Sequence, residues 1–431
     1  MTFENREIME SDGRRMFNNL RNTYRQFPRT FWVVAGTHFI DAIGNTLLMP
    51  FFALYVTQKF NVGMTQAGIL LATNSVAGMI GSTIGGAMAD RFGRRGIILF
   101  GLVVSALSGL TLGFVNKFHL FYGLSVFVGL MGSAAHPAHQ AMIADILPAE
   151  KRSEGFGMMR VISNFAWIIG PTIGGFLASF NFLYLFLSDA VISIITAFLV
   201  FRLLPETKPQ PKEETEHEPL AKTFGGYWVA LADRPYLAFI FASILMILVY
   251  QQMYSSLSVY LRDVHQVNPQ YYGMIMSTSA VTVVIFQFWV TSIIKKYPPF
   301  LMMTAATFFY MIGFTMYGFV ATVPLFILAM VIITIGEMIG MPTSNVLAAS
   351  FAPEKMRARY MAVFGLTWTV PSMIGPWAAG LVFDYFNPNY VWYIGGLLCI
   401  VAMFAFYLLH IRLGAKEEFQ REETKQEIAT S

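Results

Sequence analysis

The sequence predicts an all-α membrane protein of twelve transmembrane helices in two six-helix bundles, with both termini cytoplasmic. Three observations carry this. Of the 431 residues, 55% are hydrophobic and only 13% charged, whereas soluble domains carry about 25% charge. Lysines and arginines crowd every second connection between apolar stretches. Finally, short motifs of the first half return in the second at a fixed offset.

A spanning helix needs ~20 apolar residues. Twelve stretches qualify, roughly 31–57, 65–89, 97–116, 119–145, 156–178, 183–204, 236–261, 271–294, 300–321, 324–350, 358–383 and 390–413. They are continuously apolar rather than alternating, which excludes the strands of a membrane barrel. Residues 1–30 lack the apolar core and cleavage site of a signal peptide. Phe17, Leu20, Tyr24 and Phe27 fall near one helical face among arginines. This tail reads either as an interfacial helix on the inner leaflet or as a disordered basic segment.

With the N-terminus inside, 26 of the 29 lysines and arginines fall on the cytoplasmic side, leaving Lys59, Lys117 and Arg262 outside. That asymmetry fixes the orientation. It also explains the pI near 9.0, so the partner is the lipid bilayer and no nucleic acid is expected. Nothing points to an obligate protein partner. The single cysteine, Cys399, excludes an intramolecular disulfide.

The polar stretch 205–222, with four prolines, reads as a flexible linker. The expected organisation is a tail (1–30), a first bundle (31–204), a linker (205–235), a second bundle (236–413) and a second tail (414–431). Pro148-Ala149-Glu150-Lys151-Arg152 returns as Pro353-Glu354-Lys355-Met356-Arg357. Gly170-Pro171 and Gly174-Gly175 return as Gly375-Pro376 and Ala379-Gly380, all at an offset of 205 residues. Two parallel six-span repeats suit a transporter that rocks two bundles about a midplane site.

The turn after the second span holds Gly86, Asp90, Arg91, Gly93, Arg94 and Arg95. It resembles motif A of the major facilitator superfamily, G-x-x-x-D-[RK]-x-G-[RK]-[RK], at every constrained position. Gly170-Pro171-Thr172-Ile173-Gly174-Gly175 resembles the family's motif C, found in antiporters; the alternative is a packing kink. Together these features resemble the twelve-span drug:proton antiporter branch over about residues 30–413. The resemblance implies that Asp90 faces the start of span 11, that Arg94 pairs with Asp145, and that Arg160 pairs with an acid on the cytoplasmic side. The motif A counterpart in the second half is degenerate, Lys295-Lys296-Tyr297-Pro298-Pro299. No arginine occurs between 119 and 145, a departure from the family's motif B.

Ionisable side chains deep in a span are costly and therefore candidates for function. Asp41 lies ten residues into span 1, or roughly 15 Å by the helical rise. Glu337 is central in span 10, and Ile335–Pro342 resembles the G-E-x-x-x-x-P stretch of proton-driven multidrug exporters. A carboxyl removed from water holds a proton more readily, so Glu337 and Asp41 are the proton-coupling candidates. The alternatives are a packing role for Glu337 and a bond from Asp41 to His38; Asp189 reads as structural. The family lines its cavity with spans 1, 4, 7 and 10, which adds His38, Asn45, His136, His139, Gln140, Gln251, Gln252 and Asn345. His136 and His139 lack a third ligand, so no metal is expected. No phosphate-binding loop, cofactor motif or nucleophile–base pattern stands out, so neither an enzyme nor an ATP-driven pump is expected.

The expected function is proton-coupled efflux of a lipophilic or cationic small molecule by alternating access, across a cell membrane. The alternatives are an exporter of a specific metabolite (sugar, amino acid or siderophore) and, more distantly, a membrane receptor or scaffold.

Overall fold

The structure, a computed structural model, describes residues 26–207, 228–353 and 356–430, without the side chains of 358 and 414–430. The expected interfacial helix and most of the expected linker lie outside the described residues. Among those described, the chain is helical and holds no strand.

The first half comprises α1 (Arg29–Leu48), α2 (Phe52–Phe60), α3 (Met64–Phe92), α4 (Arg94–Leu112), α5 (Phe118–Gly132), α6 (Ala135–Ile146), α7 (Arg152–Phe180) and α8 (Leu183–Leu203). The second comprises α9 (Arg234–Tyr250), α10 (Ser256–Asp263), α11 (Pro269–Ile294), α12 (Pro299–Tyr317), α13 (Val323–Phe351), α14 (Arg357–Tyr385) and α15 (Tyr390–Thr430). Among the described residues, eleven helical stretches are long and apolar enough to cross a membrane. The stretch left out is α14, equal in length to α3 but interrupted by Thr367, Thr369, Pro371, Ser372 and Pro376.

Both halves break their opening helix. Pro50 lacks a backbone donor, and α1 passes into α2 through the 3-10 turn Met49–Phe51. The turn Gln251–Met253 separates α9 from α10 without a proline. There the Gln252 amide donates to the Leu248 carbonyl at 3.0 Å, and its oxygen accepts from Ser256 at 2.7 Å. These bonds satisfy polar groups that lipid could not.

The halves pack through glycines, which let backbones approach closely. A Cβ at Gly175 would stand 2.7 Å from the Pro269 carbonyl oxygen, and one at Gly273 would overlap the Pro171 carbonyl. Gly68 meets the Pro376 backbone in the same way, and a Cβ at Gly380 would fall 2.6 Å from the Met64 carbonyl. Ser75 adds a bond to the Ser372 carbonyl, and Thr172 one to Ser277 at 2.7 Å. All these pairs lie toward the ends of α3, α7, α11 and α14 remote from Asp90. Toward the Asp90 end a Cβ at Gly365 would meet nothing within 4 Å, and Ile84 and Phe92 are exposed. The two halves are thus joined at one end and parted at the other.

Candidate transport site

A cavity of about 1080 Å³ opens among α1, α3, α4, α6, α7 and α8, with Tyr254 of the second half closing one side. His38, Asp41 and Asn45 reach it together because spacings of three and four share a helix face. His136, His139 and Gln140 enter from α6. Six of the residues proposed from sequence therefore meet in one wall. Gln251, Gln252, Asn345 and Glu337 stand outside it. Gln252 is spent on the kink described above, and exposed Asn345 donates to the Met341 carbonyl at 2.8 Å.

His38 contacts Ser163 at 3.0 Å; its ring lies 6.0 Å from that of His139. His38 thus pairs with Ser163, while Asp41 faces the cavity. Asp189, read from sequence as structural, lines the same cavity. It accepts from Ser105 at 3.3 Å and presses on Gly44, where a Cβ would fall 2.8 Å from its carboxylate. Two carboxyl groups thus face one space, and a cation between them would relieve their repulsion. Among the described residues no group of three His, Cys, Asp or Glu is arranged to hold a metal ion.

Glu337 sits behind the wall, in the second half. Its carboxylate takes a long contact from Ser279 at 3.5 Å, and the Tyr250 side chain lies near it. The Tyr250 and Tyr254 hydroxyls are 3.0 Å apart. The Tyr254 ring meets that of Trp167, from the other half, edge-on at 5.3 Å. Nothing in the sequence singled out Trp167. Tyr254 carried a weak signal, as an aromatic residue with a polar tip on a cavity-lining span.

The turn between α3 and α4 needs Gly93 twice over. Its φ of +97° favours glycine, and a Cβ there would strike the Glu206 carboxylate. Glu206, unforeseen from sequence, accepts from the Arg94 and Arg95 amides at 2.7 and 3.3 Å, supplying the cap that α4 otherwise lacks. Buried Arg94 pairs with Asp90 at 2.6 Å and Asp145 at 3.3 Å. Arg95 donates to the Phe201 carbonyl. The Asp90 side chain remains 69% exposed, so in this conformation it is not seated against the start of α14. Arg160 is exposed and lines the cavity, while Asp145 is engaged by Arg94. In the motif C stretch, Gly170 receives Thr46, Gly174 receives Phe51, and Pro171 with Gly175 receives α11.

Two helical halves about an acid-bearing cavity are the build of a membrane transporter. The Major Facilitator Superfamily sequence model matches residues 34–376 and again 265–430, and the chain belongs to that family. It is a multi-pass membrane transporter and not an enzyme. It is 25% identical over 393 residues to a Na(+), Li(+), K(+)/H(+) antiporter of Planococcus maritimus, covering 85% of this chain and 92% of that one. It is 28% identical over 170 residues to the quinolone resistance protein NorA of Staphylococcus aureus (strain Mu50 / ATCC 700699), covering 39% and 44%. A crystal structure of the nucleoside transporter NupG superposes with a TM-score of 0.73 at 14% identity, covering 89% of this chain and 99% of that one.

Proposed function

We propose that the protein is a proton-coupled antiporter of the cell membrane that exports a lipophilic cation by alternating access. The observation that carries this reading is the cavity itself, in which Asp41 and Asp189 face a space flanked by the aromatic rings of Trp167 and Tyr254. Carboxylates attract a cation, and the rings offer it an apolar, polarisable seat. Glu337 and Asp41 serve as the proton sites. At Asp41 a proton and a cation compete for the same negative charge and exclude each other, and that exclusion is the thermodynamic content of antiport. With the Asp90 turn and both termini on the cytoplasmic side, the present conformation is open inward. The relative from Planococcus maritimus supports proton exchange, and NorA supports a drug-like cargo. The former also favours a second reading, in which the exported cation is an alkali ion.

The test is a flux measurement on purified protein in liposomes, with tetraphenylphosphonium as the probe. An imposed pH gradient should drive the probe toward the acidic side, and collapsing the gradient should stop it. Sodium moved in its place would favour the second reading, and movement of neither would defeat both.

A further inference from the structure

Glu337 lies outside the cavity wall, so a proton it carries needs a path to the cavity. Two hydroxyls occupy the gap. The Tyr250 side chain lies near the carboxylate, its hydroxyl stands 3.0 Å from that of Tyr254, and Tyr254 lines the cavity. The 3-10 turn Gln251–Met253 intervenes between them, so the second ring leaves the α9 face and reaches Trp167. Among the described residues, the other groups facing Glu337 are Ser279 from α11 and Tyr310 from α12, whose buried hydroxyl has no hydrogen-bond partner among them.

We propose that Tyr250 and Tyr254 form the relay that carries the Glu337 proton to and from the cavity. This rests on the reading of Glu337 as a proton carrier. A hydroxyl both donates and accepts, so the transfer is a concerted hop. The carboxyl O–H breaks as its proton joins the Tyr250 oxygen, the Tyr250 proton joins the Tyr254 oxygen, and the Tyr254 proton joins a cavity water. Glu337 ends as a carboxylate, both tyrosines stay neutral, and the water becomes hydronium; the reverse sequence reloads the acid. A cation seated in the cavity against Trp167 and Tyr254 covers the mouth of this path, so occupancy of the cavity and release of the proton are mutually constrained.

The experiment is a pH-jump infrared measurement on the full chain in lipid, with the Glu337 carboxyl stretch identified by its loss in Glu337→Gln. Tyr254→Phe keeps the ring against Trp167 and removes only the hydroxyl; Tyr250→Phe is its companion. Both should slow the appearance of the band by roughly tenfold or more, the factor that about 1.4 kcal/mol of barrier makes. In Tyr254→Phe, which does not touch Glu337, the midpoint of the titration should stay where it is. Wild-type kinetics in Tyr254→Phe, or a moved midpoint at unchanged rate, would overturn the relay while leaving Glu337 as carrier. Absence of any titrating Glu337 band in the unaltered protein would overturn the carrier reading and the relay with it.

Discussion

Asp384 and Met64 are joined across the two halves. One carboxylate oxygen of Asp384, near the end of α14, accepts from the Met64 amide at 2.9 Å, and the other accepts from Thr65 at 2.8 Å. Gly63 offers no side chain to cap α3, so an acid from the opposite half takes that place, where the helix dipole favours an anion. A cap of this kind contributes about 0.5–2 kcal/mol. Asp384→Ala should therefore weaken closure at this end. Spin labels on exposed Lys117 and Asn387 should report a larger share of long distances; an unaltered distribution would remove Asp384 from the gate.

Asp90 stands in the mirror position, near the end of α3 where the halves are parted. Among the described residues it bonds only Arg94, one turn away, and it stays largely exposed. If it caps α14 when the halves close at that end, Asp90→Asn should favour the present conformation by about 1 kcal/mol. Labels on Glu150 and Lys296 should then show more of the wide separation. Equal distributions in variant and parent would contradict this.

Gly273 packs so closely on Pro171 that any side chain overlaps its carbonyl. Gly273→Val should oppose the present conformation by about 1–3 kcal/mol without loosening either half, because the contact lies between them. Labels on Lys117 and Asn387 should separate while thermal stability holds. A fall in stability with no change in distance would mean that the glycine serves folding instead.

The number of proton sites would set the charge balance. If Asp41 and Glu337 each carry a proton against one monovalent cation, each cycle moves one net charge, worth about 2.3 kcal/mol per 100 mV. An inside-negative potential should then accelerate export by the parent protein, and Asp41→Asn should lose that response while keeping its dependence on the pH gradient. An equal response to potential in both would exclude Asp41 as a carrier.

The helices were legible in the sequence because lipid forces every backbone group to bond within its own helix, leaving long uninterrupted apolar runs. Motif A was legible because Gly93 and Arg94 have local reasons for their identity. Pro50 marked one kink, whereas the turn at Gln251–Met253 has no proline to betray it. Glu206 and Asp384 cap helices distant in sequence, and no local pattern announces such a partner. Glu337 shows the same limit. Its depth in the membrane follows from counting residues, but which way it faces depends on the rotation of α13 against α11 and α12. That rotation hides it behind two tyrosines.

The most direct measurement compares two modes of transport in Glu337→Gln. Proton-coupled export predicts that probe-for-probe exchange of tetraphenylphosphonium across liposomes continues in the variant, while accumulation driven by a pH gradient falls from the two-proton level to what Asp41 alone supports. Accumulation equal to the parent's in the variant would contradict a role for Glu337 in coupling.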